Sequence, residues 1–270
     1  MTGKIRELMA WELQESWAFP ILELILAVTI IQVLPFFMLS RGDADIISSV
    51  SMPFWKSMAF VFAISAAVIS GRSYGESIEK RKMVVLLEYP VSRFQVFISK
   101  FLANLLSMLC VFGSALLVEG ILAWMFEPTV TWSFYQVWFA DYSIAPAIWG
   151  FMFVSMFLVV FFASSLMSFL ALATKRFGLS VLIFLVYIFG LEYWTETLSN
   201  KVPEAYLSLV QGPIGIVNYL SQEYFRVMGL GKANLGTAWP LFLTAFSYLL
   251  VGGIVLLCAS MVLMRRMDLD

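Results

Sequence analysis

Side chains able to do chemistry are sparse in this sequence, and their placement argues against catalysis. There is no histidine, which removes the commonest general base and the commonest metal ligand. Cys110 and Cys258 both lie in long apolar runs and read as packing residues rather than a disulfide or a metal pair. Glu23, Glu119 and Glu192 stand in or near separate apolar runs, so they do not form a paired-carboxylate centre. A Ser–Lys pair would need a lysine in the middle of an apolar run, and none is there. The 15 methionines, among them Met52, Met58, Met108, Met152, Met156 and Met167, are scattered without a repeated pairing, as packing residues are. The nearest approach to a phosphate-binding loop is Gly229-Leu230-Gly231-Lys232-Ala233. It lacks the spacing of Gly, four residues, Gly-Lys-Ser/Thr that lets backbone amides cradle phosphates. The chain is therefore expected not to be an enzyme, and to hold no cofactor and no metal of its own.

The elements that carry these residues follow from composition. Of 270 residues, 61% are hydrophobic and 13% charged, against roughly 45–50% and 25% in a soluble domain. One soluble core cannot bury such an excess, so lipid is the expected solvent. The net charge of −1 argues against nucleic acid as a partner. About 20 apolar residues cross a bilayer, and six segments qualify: residues 17–39, 53–70, 94–125, 145–173, 178–193 and 239–264. Alternating strand patterns and internal repeats are absent, which disfavours a β-barrel and a transporter built on inverted repeats. With both termini in the cytoplasm, the inner side holds Lys4, Arg6, Arg72, Lys80, Arg81, Lys82, Arg93, Lys100, Lys175, Arg176, Arg265 and Arg266 of the 17 basic residues. That bias sets the orientation. Trp132, Tyr135, Trp138, Tyr142, Trp194 and Trp239 then fall at the outer interface. The N-terminus, with Glu7, Glu12 and Glu15 before its first apolar run, does not read as a signal peptide.

Three features lie outside the spans. In residues 1–16, Ile5, Met9 and Leu13 recur every fourth position with Leu8 alongside, and Glu12 interrupts the stripe; an amphipathic elbow helix on the cytoplasmic leaflet is expected. In the loop over 76–90, charges give way to the apolar run Met83 to Leu87, too short to cross a membrane and too apolar for water, which marks a contact surface. An interfacial helix resting on lipid is the alternative reading of this run. Pro90 biases Tyr89 away from helix, and Ser92 can cap the helix that opens the third span. Residues 194–238 form a long outer loop with apolar halves, Ala205 to Leu209 and Ile214 to Leu220, which suggests two short helices dipping into the outer leaflet.

At the loop over 76–90 the chain resembles the ATP-binding-cassette permeases of the second type, small six-span exporter subunits. Their pattern is an acidic patch, a short helix ending in Leu-Leu, then Pro, a small aliphatic residue, Ser-Arg and a later Lys. Here it reads Glu76 and Glu79, Leu86-Leu87, Pro90-Val91-Ser92-Arg93 and Lys100. The layout over the whole chain is similar; the motif covers about 25 residues. Where members usually carry Gly and Thr, this chain has Lys80-Arg81-Lys82. The resemblance implies an all-α membrane domain over residues 1–270 in the plasma membrane, paired with a second copy or a paralogue and driven by a cytoplasmic ATPase subunit that holds ATP and magnesium. It implies that a short helix over about Ile78 to Leu87 seats in that ATPase and that Glu76, Glu79, Lys80, Arg81, Lys82, Met83, Leu86, Leu87, Pro90 and Arg93 couple to it, with Lys175 and Arg176 as a second, smaller contact; the departure at Lys80-Arg81-Lys82 points to a more acidic groove on the partner.

Glu119 is the acid deepest in a span, where a charge costs about 2.5–3.5 kcal/mol, so it should face a partner or a polar cavity rather than lipid, either as a substrate or proton contact on the translocation path or as a hydrogen-bonded or protonated acid between helices. A non-transporting membrane scaffold or assembly subunit has the same composition and is the alternative; only the loop motif speaks against it.

Overall fold

The apolar runs fold as helices because a segment without water must pair its own backbone groups. The computed structural model describes residues 2–16, 21–39, 61–88, 91–126, 145–198 and 235–267. In chain order these form α1 (Thr2–Ser16), α2 (Leu22–Leu39), α3 (61–79, π-helical over Arg72–Glu76), α4 (Lys82–Glu88), α5 (Arg93–Phe126), α6 (Ala145–Thr174), α7 (Phe177–Leu198) and α8 (Leu235–Arg266). There is no strand among the described residues. Among the described residues, three stretches are long and apolar enough to cross a membrane: Arg93–Ala115, Met156–Thr174 and Phe246–Arg266; Phe177–Gly190 is apolar but shorter. Three such helices indicate a membrane location. The expected outer loop lies outside the described residues, except where α7 and α8 extend into it, as does the aromatic belt between α5 and α6.

α5 begins where a chemical stop and start coincide. Ser92 Oγ accepts from the Gln95 N–H at 3.2 Å, and Gln95 Oε1 accepts from the Ser92 N–H at 2.9 Å. This reciprocal capping box satisfies two N–H groups that the first turn would otherwise leave orphaned. The cap expected at Ser92 is present, and Gln95 completes it.

Two apolar clusters hold the bundle. The larger joins Val28 of α2, Phe62 and Ala66 of α3, Met108 and Val111 of α5, Met156 and Val159 of α6, Phe184 of α7 and Leu249 of α8. The second lies at the end where α5 begins, hereafter the Arg93 end, and gathers Tyr74, Met83, Val96, Phe97, Leu172, Met264 and Met267. α6 is the most buried of the three long apolar helices and α8 the least. α8 approaches α6 closely because Gly253 has no side chain: a Cβ there would stand 2.5 Å from the Phe161 ring. Small residues at such crossings let helices pack without a hydrophobic drive between them.

Candidate functional site

At the Arg93 end the sequence brings charges inside the bundle. α1 lies along α5, and its half-buried face is Ile5, Leu8, Met9 and Leu13. Glu12 sits within that face at the same helical spacing, 4% exposed. It therefore does not break the apolar stripe, as the sequence suggested; it is the stripe's polar centre. Lys100 of α5, 2% exposed, donates to both Glu12 oxygens, at 2.8 and 2.7 Å. Ser73 Oγ donates to Glu12 Oε1 at 2.8 Å, and Lys100 Nζ reaches Ser77 Oγ at 3.4 Å. All three ammonium protons thus point at oxygen, as a buried cation requires.

Ser73 and Ser77 come from the π-helical stretch Arg72–Glu76 and the turn that follows it. Tyr74, between them, is fully buried, and its hydroxyl donates to the Phe97 carbonyl at 2.8 Å. Burial, reinforced by the charge of Glu12, pushes the Tyr74 phenol well above its ordinary range, so it stays a donor. Three helices, α1, α3 and α5, are tied here by one polar network.

The same stretch of α3 touches the α6–α7 turn. A Cβ on Gly75 would meet Phe177 Cα at 3.0 Å and Phe177 N at 3.1 Å, so only glycine admits this approach of backbone to backbone. One turn on, Glu79 Oε2 accepts from the Phe177 N–H at 3.4 Å, at the start of α7, where backbone N–H groups lack partners. Thr174 holds the turn from the other side, its Oγ1 donating to the Leu170 carbonyl at 2.8 Å. Lys175 adopts φ 57, a left-handed conformation that ends α6 as glycine more often does.

The helix expected over about Ile78 to Leu87 is divided. Arg81, with φ 56, forms a turn between α3 and α4, and its N–H bonds to the Ile78 carbonyl at 3.0 Å. The reason is packing. Breaking the helix turns Met83 and Leu86 back onto Val96, Phe97, Met264 and Met267. Met83 is fully buried and Leu86 half-buried, so these two residues are held by the chain's own fold and are not an exposed apolar surface. Pro90 and the side chain of Leu87 lie outside the described residues.

Several of the remaining candidates are paired, and Lys80 is both paired and exposed. Glu76 pairs with Arg72 at 2.8 Å and with Lys80, each one helical turn away; the hydrogen bond from Lys80 holds its carboxyl below the usual range, against the opposing effect of burial and with Arg72 adding to it. Arg93 is spent inside the molecule, its Nη1 donating to the carbonyls of Arg265 at 3.1 Å and Met267 at 2.7 Å, where α8 ends. Lys80, Arg81, Lys82, Lys175 and Arg176 are exposed. The Glu79 and Gly75 contacts place the two basic loops side by side. Glu119 lies on α5, with its side chain outside the described residues. Among the described residues there is no cluster of His, Cys, Asp or Glu able to hold a metal ion.

No family model matches the chain, and no curated protein matches it. Neither Glu12 nor Lys100 announces its pairing in the sequence. The available signal was a glutamate at a core position of an amphipathic helix.

Proposed function

We propose that this chain is the membrane subunit of an exporter driven by a separate ATP-binding-cassette ATPase. Six spans would come from α2, α3 and α5 to α8, with both termini and the Arg93 end in the cytoplasm of a cell whose plasma membrane it occupies. Two such subunits would form the path, and ATP with magnesium would bind on the partner.

The observation that carries this reading is the contact between Glu79 and Phe177. It puts the two loops expected to meet an ATPase next to each other, as one surface. The burial of Met83 and Leu86 changes the nature of that surface. What it offers outward is the basic set Lys80, Arg81, Lys82, Lys175 and Arg176, so the complementary groove on the partner is acidic. The buried Glu12–Lys100 pair makes a push on this surface a push on α1, α3 and α5 together.

The scaffold reading is favoured by one observation: the apolar run that would seat in an ATPase is partly used up by the chain's own core. Gentle solubilisation of the tagged protein, with mass spectrometry of what accompanies it, separates the two. A stoichiometric subunit with nucleotide-binding motifs supports the exporter; a stoichiometric membrane protein with no ATPase supports the scaffold.

A further inference from the structure

Of the three long apolar helices, α8 has the least of its surface inside the bundle. Its apolar stretch is 17% buried, against 56% and 67% for those of α5 and α6. Its two sides differ in kind. Leu249, Gly253, Ser260, Met264 and Met267 are buried against the bundle. Val251, Ile254, Val255, Cys258 and Val262 are exposed. At 3.6 residues per turn these five fall within one sector of about 100°. Arg265 and Arg266, three and four residues beyond Val262, continue that face and are exposed.

The outer side of α8 is therefore an apolar strip that ends in two guanidinium groups. From Val255 to Arg266 the strip is about 16 Å long at 1.5 Å per residue, close to half of a hydrocarbon core about 30 Å thick. Those are the proportions of one leaflet's acyl chain with a charged group at its head.

Depth and charge follow from the end contacts. Arg93 Nη1 donates to the carbonyls of Arg265 at 3.1 Å and Met267 at 2.7 Å, so the start of α5 and the end of α8 are level. Both helices carry membrane-spanning stretches, and both stretches end here, which sets Arg265 and Arg266 at the headgroup layer. Arg93 adds a third positive charge to that end. Neither Arg265 nor Arg266 has an ion-pair partner among the described residues. Arginine holds phosphate oxygens through paired N–H bonds.

A second copy of this chain is the poorer occupant of the strip. Copies of one membrane orientation, meeting through this face about an axis along the membrane normal, would set Arg265 and Arg266 of one against the same pair of the other. Like charges would then be opposed.

We propose that the outer face of α8 binds an anionic phospholipid, with an acyl chain along Val255, Cys258 and Val262 and the headgroup phosphate held by Arg265 and Arg266. The inference needs only that the chain lies in a membrane, and it does not depend on the exporter reading.

The test is native mass spectrometry of the full chain purified in detergent, with phosphatidylglycerol or phosphatidylcholine of matched acyl chains added. The expected result is retention of phosphatidylglycerol several-fold above phosphatidylcholine. That preference should fall several-fold in Arg265→Gln/Arg266→Gln and persist in Lys175→Gln/Arg176→Gln, which removes two charges from the α6–α7 turn. A native chain with no preference overturns the site; it is the result expected if Asp268 and Asp270, outside the described residues, hold the arginines. Equal loss in the two double variants also overturns it, because positive charge anywhere at this end would then suffice. Displacement of the lipid by an equal concentration of glycerol phosphate would give the arginines to a soluble anion. A dimeric native chain that becomes monomeric in Arg265→Gln/Arg266→Gln, with lipid retention unchanged, would give the face to a second copy. Either result overturns the lipid assignment.

Discussion

Glu12 and Lys100, 88 positions apart in the chain, meet through two contacts of 2.8 and 2.7 Å inside the bundle. Neither residue would be tolerable there alone. Desolvation costs several kcal/mol per ion, and only a saturated partner set offsets it. The pair is thus a condition on how α1 can sit: it must return to α5 whenever Lys100 is buried.

That condition is measurable. Glu12→Gln or Lys100→Met alone leaves one charge buried and should cost about 3–5 kcal/mol. The double variant removes both charges and should recover most of the loss. Thermal unfolding in detergent reads the cycle. A loss in the double variant equal to the sum of the two single losses would show that the contact contributes nothing as a pair.

Gly75 should be intolerant for a purely steric reason. Gly75→Ala drives a methyl against the backbone of Phe177, and overpacking of this kind costs about 1–3 kcal/mol. Gly178→Ala, where a Cβ would meet nothing within 4 Å, should be neutral or stabilising by up to about 1 kcal/mol, because alanine favours helix. Comparing the two melting temperatures tests whether α3 docks on the α6–α7 turn.

Arg93 should behave as a helix cap. Arg93→Met frees the carbonyls of Arg265 and Met267 and should destabilise by about 1 kcal/mol. The effect should be concentrated at the end of α8, where hydrogen exchange would rise for the last turn. Arg93→Lys, still cationic but with one donor centre, should recover part of the loss.

Glu76 sets an acid limit. Its folded carboxyl titrates below the usual range because Lys80 bonds the charged form, with Arg72 adding to it. The stabilisation is present in full above the ordinary carboxylate range and is lost as pH falls through the lowered value. Melting temperature of the native chain should therefore drop on acidification more steeply than that of Glu76→Gln, and the two curves should converge at low pH. Parallel curves would remove Glu76 from the account.

The helices of this fold were readable because long apolar runs leave a chain in lipid little choice; the runs over 94–125 and 145–173 are helical throughout, in α5 and α6. The cap at Ser92 was readable because its chemistry is local. The site was less legible, for physical reasons that differ by residue. The Glu12–Lys100 pair is non-local, and a glutamate on an apolar face looks like an interruption until its partner is known. Arg81 and Lys175 take left-handed conformations that residue type does not announce. Met83 and Leu86 sit in a run that reads equally well as a docking patch or a core segment, and only their packing on Phe97 and Met264 decides it.

The exporter reading is tested most directly by charge reversal on the composite surface. Arg81→Glu with Arg176→Glu alters two exposed side chains on the two adjacent loops. Each variant would be purified from native membranes, with nucleotide hydrolysis measured in the eluate. The account predicts that the native chain brings down a hydrolysing subunit and that the double reversal loses it while the membrane chain remains folded. A native chain that carries no such subunit, or a double reversal that retains it undiminished, would contradict the account.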